Sequence, residues 1–202
     1  MGDSFRPVFD ELLGSLADET TVSEGDITAA GWSGGPIEIL FLDVLKSWEV
    51  NDAVASAFLP SLVAGRSVIV QQDYIHGMLP WIHITMELLR DSVEQVADVP
   101  CSRVYAVTAD ITAETLAEIL PLKRHVPPAR QEQLMDAAIA STSGEATASL
   151  QLAKANLLRD QGDLAGATRV LEYVELTFGD IPAVAADARE TRAILAGSGL
   201  RA

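Results

Sequence analysis

Hydrophobic positions in residues 36–76 form two short apolar runs with a helical stripe between them, a pattern that predicts a strand–helix–strand unit. Ile37–Val44 is rich in Ile, Leu and Phe, as is typical of a strand covered on both faces. Ser47–Val63 has helical spacing and ends near Gly65. Arg66–Val70 is a second, β-branched run. A right-handed crossover would place the two strands side by side and parallel.

An acidic residue stands at the end of each of these strands. Asp43 stops the first run, and Asp73 follows the second run within the segment 71–74. The carboxyl ends of neighbouring parallel strands open onto one edge of a sheet, and doubly wound α/β proteins hold their ligands at that edge. The two carboxylates therefore predict a ligand site there.

Further patterns predict elements on either side of this unit. They indicate helices at Phe5–Ala17, Trp81–Asp91 and Thr112–Leu120. They also indicate strands at Thr20–Ile27, a short one, and at Pro100–Thr108. Pro80 suits the first position of a helix, and Thr112 suits an N-cap. Gly31–Pro36, which contains Trp32, is expected to be a loop.

The pattern changes at Pro127-Pro128, because strand signals end there and alanine becomes abundant. Four helices are expected, at 129–141, 145–160, 164–178 and 182–196. The sequence thus predicts an α/β domain over residues 1–126 and an all-α extension over 127–202. Two of the helices resemble one tetratricopeptide unit, but no second copy follows, and a helical hairpin packed on the sheet or on a partner is the simpler interpretation.

Composition and charge narrow the function classes. The 202 residues carry a formal net charge of -15 with only 14 Lys and Arg, which argues against binding to nucleic acid or to an anionic membrane surface. No uncharged apolar segment reaches the roughly 18–20 residues of a membrane span. The acidic, amphipathic N-terminus lacks the apolar core of a signal peptide. A single cysteine, Cys101, excludes an internal disulfide. A cytoplasmic location is expected.

The segments PIEILFLDV, VAGRSVIVQQDY and PWIHITMELL resemble the C-terminal half of a class I S-adenosylmethionine-dependent methyltransferase. Small-molecule O-methyltransferases are the nearest kind, with D-x-LL-FLD before the crossover helix and L-x-PGG-xxxx-DDY after it. The resemblance covers roughly residues 20–108. It implies a Rossmann-like sheet with the strand order 3-2-1-4-5-7-6, truncated in this chain and followed by the all-α extension.

The resemblance also implies site residues. In metal-dependent members, a carboxylate after the fourth strand and an acidic pair after the fifth hold Mg²⁺, and the first carboxylate also serves as the base. Asp43 matches the first position, and Asp73 matches the second residue of the pair. Gln72 stands where the other carboxylate is expected, which weakens the donor set. His76, in the loop that follows, is the best further candidate for a general base or ligand, with a solvated loop histidine as the alternative.

The cofactor half of the fold is not recognisable in this sequence. Methyltransferases of this class hold S-adenosylmethionine with a glycine-rich loop after the first strand, and no such loop follows a predicted strand before residue 31. Glu24-Gly25-Asp26 resembles the GD that ends the third strand and contacts adenine. The resemblance therefore implies that Asp26, together with Trp32 in the next loop, binds the cofactor.

Without strands 1 and 2, the strand at Ile37–Val44 would be an unpaired edge. Because an apolar edge strand pairs readily with another chain, we expect a homodimer, or docking onto a separate polypeptide, through this strand.

Three functions remain open. The first is methyl transfer to a hydroxyl of a small molecule, with Asp43 or His76 as the base. The second is a non-catalytic, methyltransferase-like binding or scaffold protein, that is, a pseudoenzyme. The third is a cofactor-independent reaction that uses Asp43, Asp73 and His76. For Asp43, the structural alternative is an N-cap of the following helix; for Lys46, it is a surface ion pair.

Overall fold

Four strands form one mixed sheet in residues 5–198, the part of the chain that this computed structural model describes. The strands are β1 Ile39–Leu42, β2 Val68–Gln71, β3 Val93–Val99 and β4 Ser102–Val107. Their order is β1-β2-β4-β3. β1 and β2 are parallel, whereas β4 runs antiparallel to both of its neighbours. The expected mixed α/β architecture is therefore confirmed.

Side chains of β1 alternate between the two faces of the sheet. Leu40 and Leu42 are buried in the main core, whereas Ile39 and Phe41 are 71% and 58% exposed. The prediction of a strand covered on both faces is wrong for the described residues, because helices cover only the face that carries Leu40 and Leu42. β1 is also an edge of the sheet, paired only with β2.

Between residues 5 and 126, five α-helices accompany the sheet. They are α1 Arg6–Leu13, α2 Trp48–Phe58, α3 Pro80–Leu88, α4 Ala113–Ile119 and α5 Leu122–His125. The predicted caps are confirmed: Pro80 is the first residue of α3, and the Thr112 hydroxyl accepts a hydrogen bond from the Thr115 N–H at 3.1 Å. The Ser47 hydroxyl caps α2 in the same way, with the Val50 N–H as donor at 3.2 Å. Asp43 therefore does not cap α2.

Two sequence predictions in this region are corrected. Thr20–Ile27 is not a strand; a single 3-10 turn, Ile27–Ala29, follows instead and is capped by Asp26. The helix predicted over Phe5–Ala17 ends at Leu13, where Gly14 adopts a positive φ and a 3-10 segment begins. β3 was not predicted at all.

Between Pro127 and residue 198, four helices follow, close to their predicted positions. They are α6 Pro128–Ala140, α7 Gly144–Asp160, α8 Leu164–Phe178 and α9 Pro182–Ser198. α6 and α7 pack on α3, and Met135 and Leu150 join the same core as Ile69 of the sheet. A smaller core lies among α7, α8 and α9. Among residues 5–198, no helix combines the length and the hydropathy needed to cross a membrane.

Candidate functional site

The two carboxylates predicted at the sheet edge lie on either side of one ammonium group. The Lys46 Nζ is 3.4 Å from the Asp43 Oδ1 and also forms an ion pair with Asp73. Asp73 adopts a left-handed backbone conformation, with φ of 61°, and its side chain is mostly buried. The hydrogen bond to Asp73 raises the pKa of Lys46, so the ammonium stays charged. The site is thus a carboxylate–ammonium–carboxylate bridge at the carboxyl ends of β1 and β2.

This donor set does not fit the magnesium ion that the resemblance implies. Lys46 already supplies the positive charge between Asp43 and Asp73. Gln72 is turned to β4, where its Oε1 accepts a hydrogen bond from the Ser102 hydroxyl at 2.7 Å. Within the described part of the chain, no group of three or more His, Cys, Asp or Glu side chains is arranged to hold a metal. The metal role of Asp43 and Asp73 remains a prediction that this arrangement does not support.

His76 lies apart from the Asp43–Lys46–Asp73 bridge, in a cavity that contains neither aspartate. It is exposed, and its Nδ1 accepts a hydrogen bond from the Met78 N–H at 3.2 Å. The cavity has a volume of about 570 Å³ and is also lined by Cys101, Glu145 and Asp187. Cys101 is exposed in the turn between β3 and β4, with φ of 64°. The structure therefore places His76 beside Cys101 and helix residues, in a cavity that neither Asp43 nor Asp73 lines.

Asp26 and Trp32, the predicted cofactor residues, line one cavity of about 500 Å³ together with Phe58. The Trp32 ring is tilted on Phe58 at 6.2 Å between centroids, and its Nε1 donates to the Gly35 carbonyl at 2.8 Å. The Asp26 Oδ1 accepts from the Thr28 hydroxyl at 2.7 Å, which lowers the pKa of the carboxyl group. The cavity thus combines an aromatic wall with a charged acceptor.

This second cavity lies near the amino end of β1, whereas Asp43 lies at its carboxyl end. Phe58 is the last residue of α2, which leads from the carboxyl end of β1 back to the start of β2. Just after α2, the Ser61 carbonyl accepts a hydrogen bond from the Ile37 N–H at 2.9 Å, next to the amino end of β1. The 11 residues of α2, about 16 Å long, therefore separate the two sites.

A buried arginine that sequence reasoning did not single out connects the sheet with the helical region. The Arg103 guanidinium donates from Nε and Nη2 to both oxygens of Asp98, at 2.6 and 2.9 Å, and from Nη1 to the Ser141 hydroxyl at 3.0 Å. It also lies over the Tyr74 ring, 4.4 Å from its centroid. The only signal in the sequence was a charged residue inside an apolar strand. Its role is structural, since all of these partners belong to the fold.

Comparisons with known proteins identify no relative. No protein-family model matches the chain, and no curated protein or solved structure is significantly similar to it. The function must therefore be argued from the residues and their geometry.

Proposed function

We propose that this protein is an S-adenosylmethionine-dependent methyltransferase that acts on a hydroxyl group of a small molecule. One observation carries the proposal: the strand order β1-β2-β4-β3, with Asp43 and Asp73 at the carboxyl ends of its two parallel strands. In the methyltransferase order 3-2-1-4-5-7-6, this sheet corresponds to the segment 4-5-7-6. Asp43 and Asp73 then stand after strands four and five, where the resemblance expects the reacting groups.

The Asp43–Lys46–Asp73 bridge supports this chemistry without a metal. Asp43 is well exposed and accepts the proton of the acceptor hydroxyl. S-adenosylmethionine, when bound, would supply an electrophilic methyl group to this hydroxyl. The Lys46 ammonium stabilises the negative charge that develops on the oxygen, and Asp73 holds Lys46 in place.

The cavity of Asp26 and Trp32 supports the adenine end of the cofactor. Trp32 is 45% exposed and offers a ring face for stacking. The Asp26 carboxylate is an acceptor for an exocyclic amine. The cavity volume, about 500 Å³, falls in the range of small-molecule sites.

Calorimetric titration with S-adenosylhomocysteine tests the proposal. We expect micromolar binding by the purified chain and weaker binding by Trp32→Ala, because that variant loses the stacking surface. Leu176→Lys is the control, because Leu176 is exposed on α8, outside both cavities, and its replacement should leave binding unchanged. Absence of binding to the wild type at millimolar ligand would contradict the proposal.

A non-catalytic binding protein is the second candidate. None of the four described strands is followed by a glycine-rich loop, so residues 5–198 do not include the usual cradle for the cofactor. A negative calorimetric result would favour this function. The geometry does not favour a cofactor-independent reaction of Asp43, Asp73 and His76, because His76 lines a separate cavity.

A further inference from the structure

The outer side of β1 presents unpaired main-chain groups. The carbonyls of Glu38 and Leu42 accept hydrogen bonds from the N–H groups of Val68 in β2 and of Gln72 just after it, at 2.8 and 3.0 Å. Main-chain groups of successive strand residues point to opposite sides, so the N–H and C=O of Ile39 and Phe41 point away from β2. Their side chains are among the most exposed large hydrophobic groups of the described residues. Such an edge favours pairing with a further strand.

We propose that two copies of this chain pair antiparallel through β1, about a two-fold axis at Leu40. In this register Ile39 of one copy lies opposite Phe41 of the other, and Leu40 lies opposite Leu40. A shift by one residue would set exposed side chains opposite buried ones. A shift by two would set Ile39 opposite the charged Asp43 in one direction, and in the other it would pair Phe41 with Ile37, whose N–H already donates to the Ser61 carbonyl. The chosen register also makes Ile39 and Phe41 hydrogen-bonded pairs, which matches the direction of their free main-chain groups.

This pairing would complete the site, a conclusion that rests on the proposed function. Within one chain, the Asp26–Trp32 cavity and the Asp43–Lys46–Asp73 bridge lie at opposite edges of the sheet. An antiparallel two-fold reverses one copy, so the amino end of one β1 lies beside the carboxyl end of the other. Asp43 of one copy then falls opposite Ile37 of the other, at the edge that carries the second copy's cavity. Each composite site takes its base from one chain and its cofactor cavity from the other.

Each end of the interface carries one ion pair from each copy, and the two-fold axis sets Arg66–Glu38 of one copy beside Asp43–Lys46 of the other. Arg66 lies at the amino end of β2 with an exposed side chain, paired with Glu38. The two-fold axis brings it to the same edge as the exposed Asp43 of the other copy. A second copy is thus favoured over an unrelated partner, because its register, charges and missing half-site all match.

Disulfide trapping tests the register. In a Cys101→Ser background, Ile39→Cys and Phe41→Cys would be purified separately, mixed and oxidised. Opposite residues in a hydrogen-bonded pair have Cα atoms about 5.5 Å apart, within the disulfide range of about 4.4–6.8 Å. We expect several-fold more cross-linked dimer in the mixture than in either variant alone, where equivalent residues are diagonal. Equal yields in all three samples would overturn the proposal.

S-adenosylhomocysteine titration of Ile39→Lys tests the composite site. Ile39 is outside the Asp26–Trp32 cavity, yet the substitution should weaken binding, because separation of the copies removes the other chain's Asp43–Lys46–Asp73 bridge from the end of the cofactor that carries the methyl group. Binding by Ile39→Lys equal to that of the wild type would overturn the composite site. If the wild type fails to bind while the mixed cysteine variants cross-link, the proposed function fails and the pairing stands. If the wild type binds S-adenosylhomocysteine but the mixed cysteine variants do not cross-link, the pairing fails and the proposed function stands.

Discussion

A single lysine determines the chemistry of the sheet edge. Sequence reasoning placed Asp43 and Asp73 at this edge and weighed a metal between them. It could not decide the role of Lys46, because a lysine three residues after Asp43 forms a surface ion pair as readily as it faces a cleft. Only the fold brings Asp73 close enough for Lys46 to bridge the two strands. The ammonium then neutralises the two carboxylates, as a divalent cation would.

Removal of Lys46 should therefore create a metal site. Lys46→Ala leaves two unneutralised carboxylates, and we expect it to bind Mn²⁺ in the millimolar range, whereas the wild type shows no saturable binding. Electron paramagnetic resonance of free Mn²⁺ measures this. Lys46→Arg should still exclude the metal. Lys154→Ala is the matched control, since it removes a lysine from another ion pair, with Asp136. Mn²⁺ binding by the wild type as tight as by Lys46→Ala would contradict this account.

His83 should make stability depend on pH. It is fully buried on α3, where its Nε2 donates to the Tyr74 carbonyl at 2.7 Å, and burial lowers its pKa to about 4. The unfolded chain takes up this proton near pH 6.5, so the unfolded state binds more protons between the two values. The contribution is complete above pH 6.5 and is lost as the pH falls toward 4.

Protonation of His83 in the unfolded state should lower the free energy of unfolding by about 2 kcal/mol as the pH falls from about 7 to about 5. Urea denaturation at a series of pH values measures the slope. His83→Leu should flatten it, whereas His125→Leu, at an exposed position, should not. An unchanged slope in His83→Leu would show that His83 is not the cause.

At the scale of elements, hydrophobic periodicity predicted most helices, β1, β2 and β4. β3 was missed because the valines of VEQVADV recur every third residue instead of alternating, and the strand carries a bulge between Gln95 and Ala97. It forms because a tight turn at Pro100 and Cys101 folds it back on β4, a contact that periodicity does not report. Thr20–Ile27 has strand-like composition, but no described strand pairs with it. In both cases, the presence or absence of a neighbouring strand to pair with determined whether the segment formed a strand, and the local sequence pattern did not.

Arg103 should hold β3, β4 and the end of α6 together. Arg103→Met removes the buried member of this ion pair, whereas Asp98 is 36% exposed and keeps the Gln95 amide as a donor, so we expect a loss of about 2 kcal/mol in the free energy of unfolding. Arg66→Met is the matched control, because Arg66 pairs with Glu38 on the surface, and its loss should cost less than about 1 kcal/mol. Urea denaturation compares them. Equal losses would refute a structural role for the buried pair.

At the scale of the whole molecule, the candidate site is divided by the fold. The sequence could predict Asp26, Trp32, Asp43 and Asp73 as separate candidates, because each is recognised by its neighbours along the chain. It could not predict that α2 sets the first two and the last two at opposite edges, since that depends on the path of the chain. The proposed pairing through β1 would reunite them. The net charge of -15 on each copy opposes this assembly, so added salt should strengthen it.

Light scattering of the purified chain, alone and as Ile39→Lys, tests the assembly most directly. The account predicts the mass of a dimer for the wild type and for Leu176→Lys, which changes an equally apolar but remote exposed position on α8. Ile39→Lys should have the mass of a monomer, because a charge at the centre of the interface prevents pairing. A monomeric wild type, or a well-folded Ile39→Lys that remains a dimer, would contradict the account.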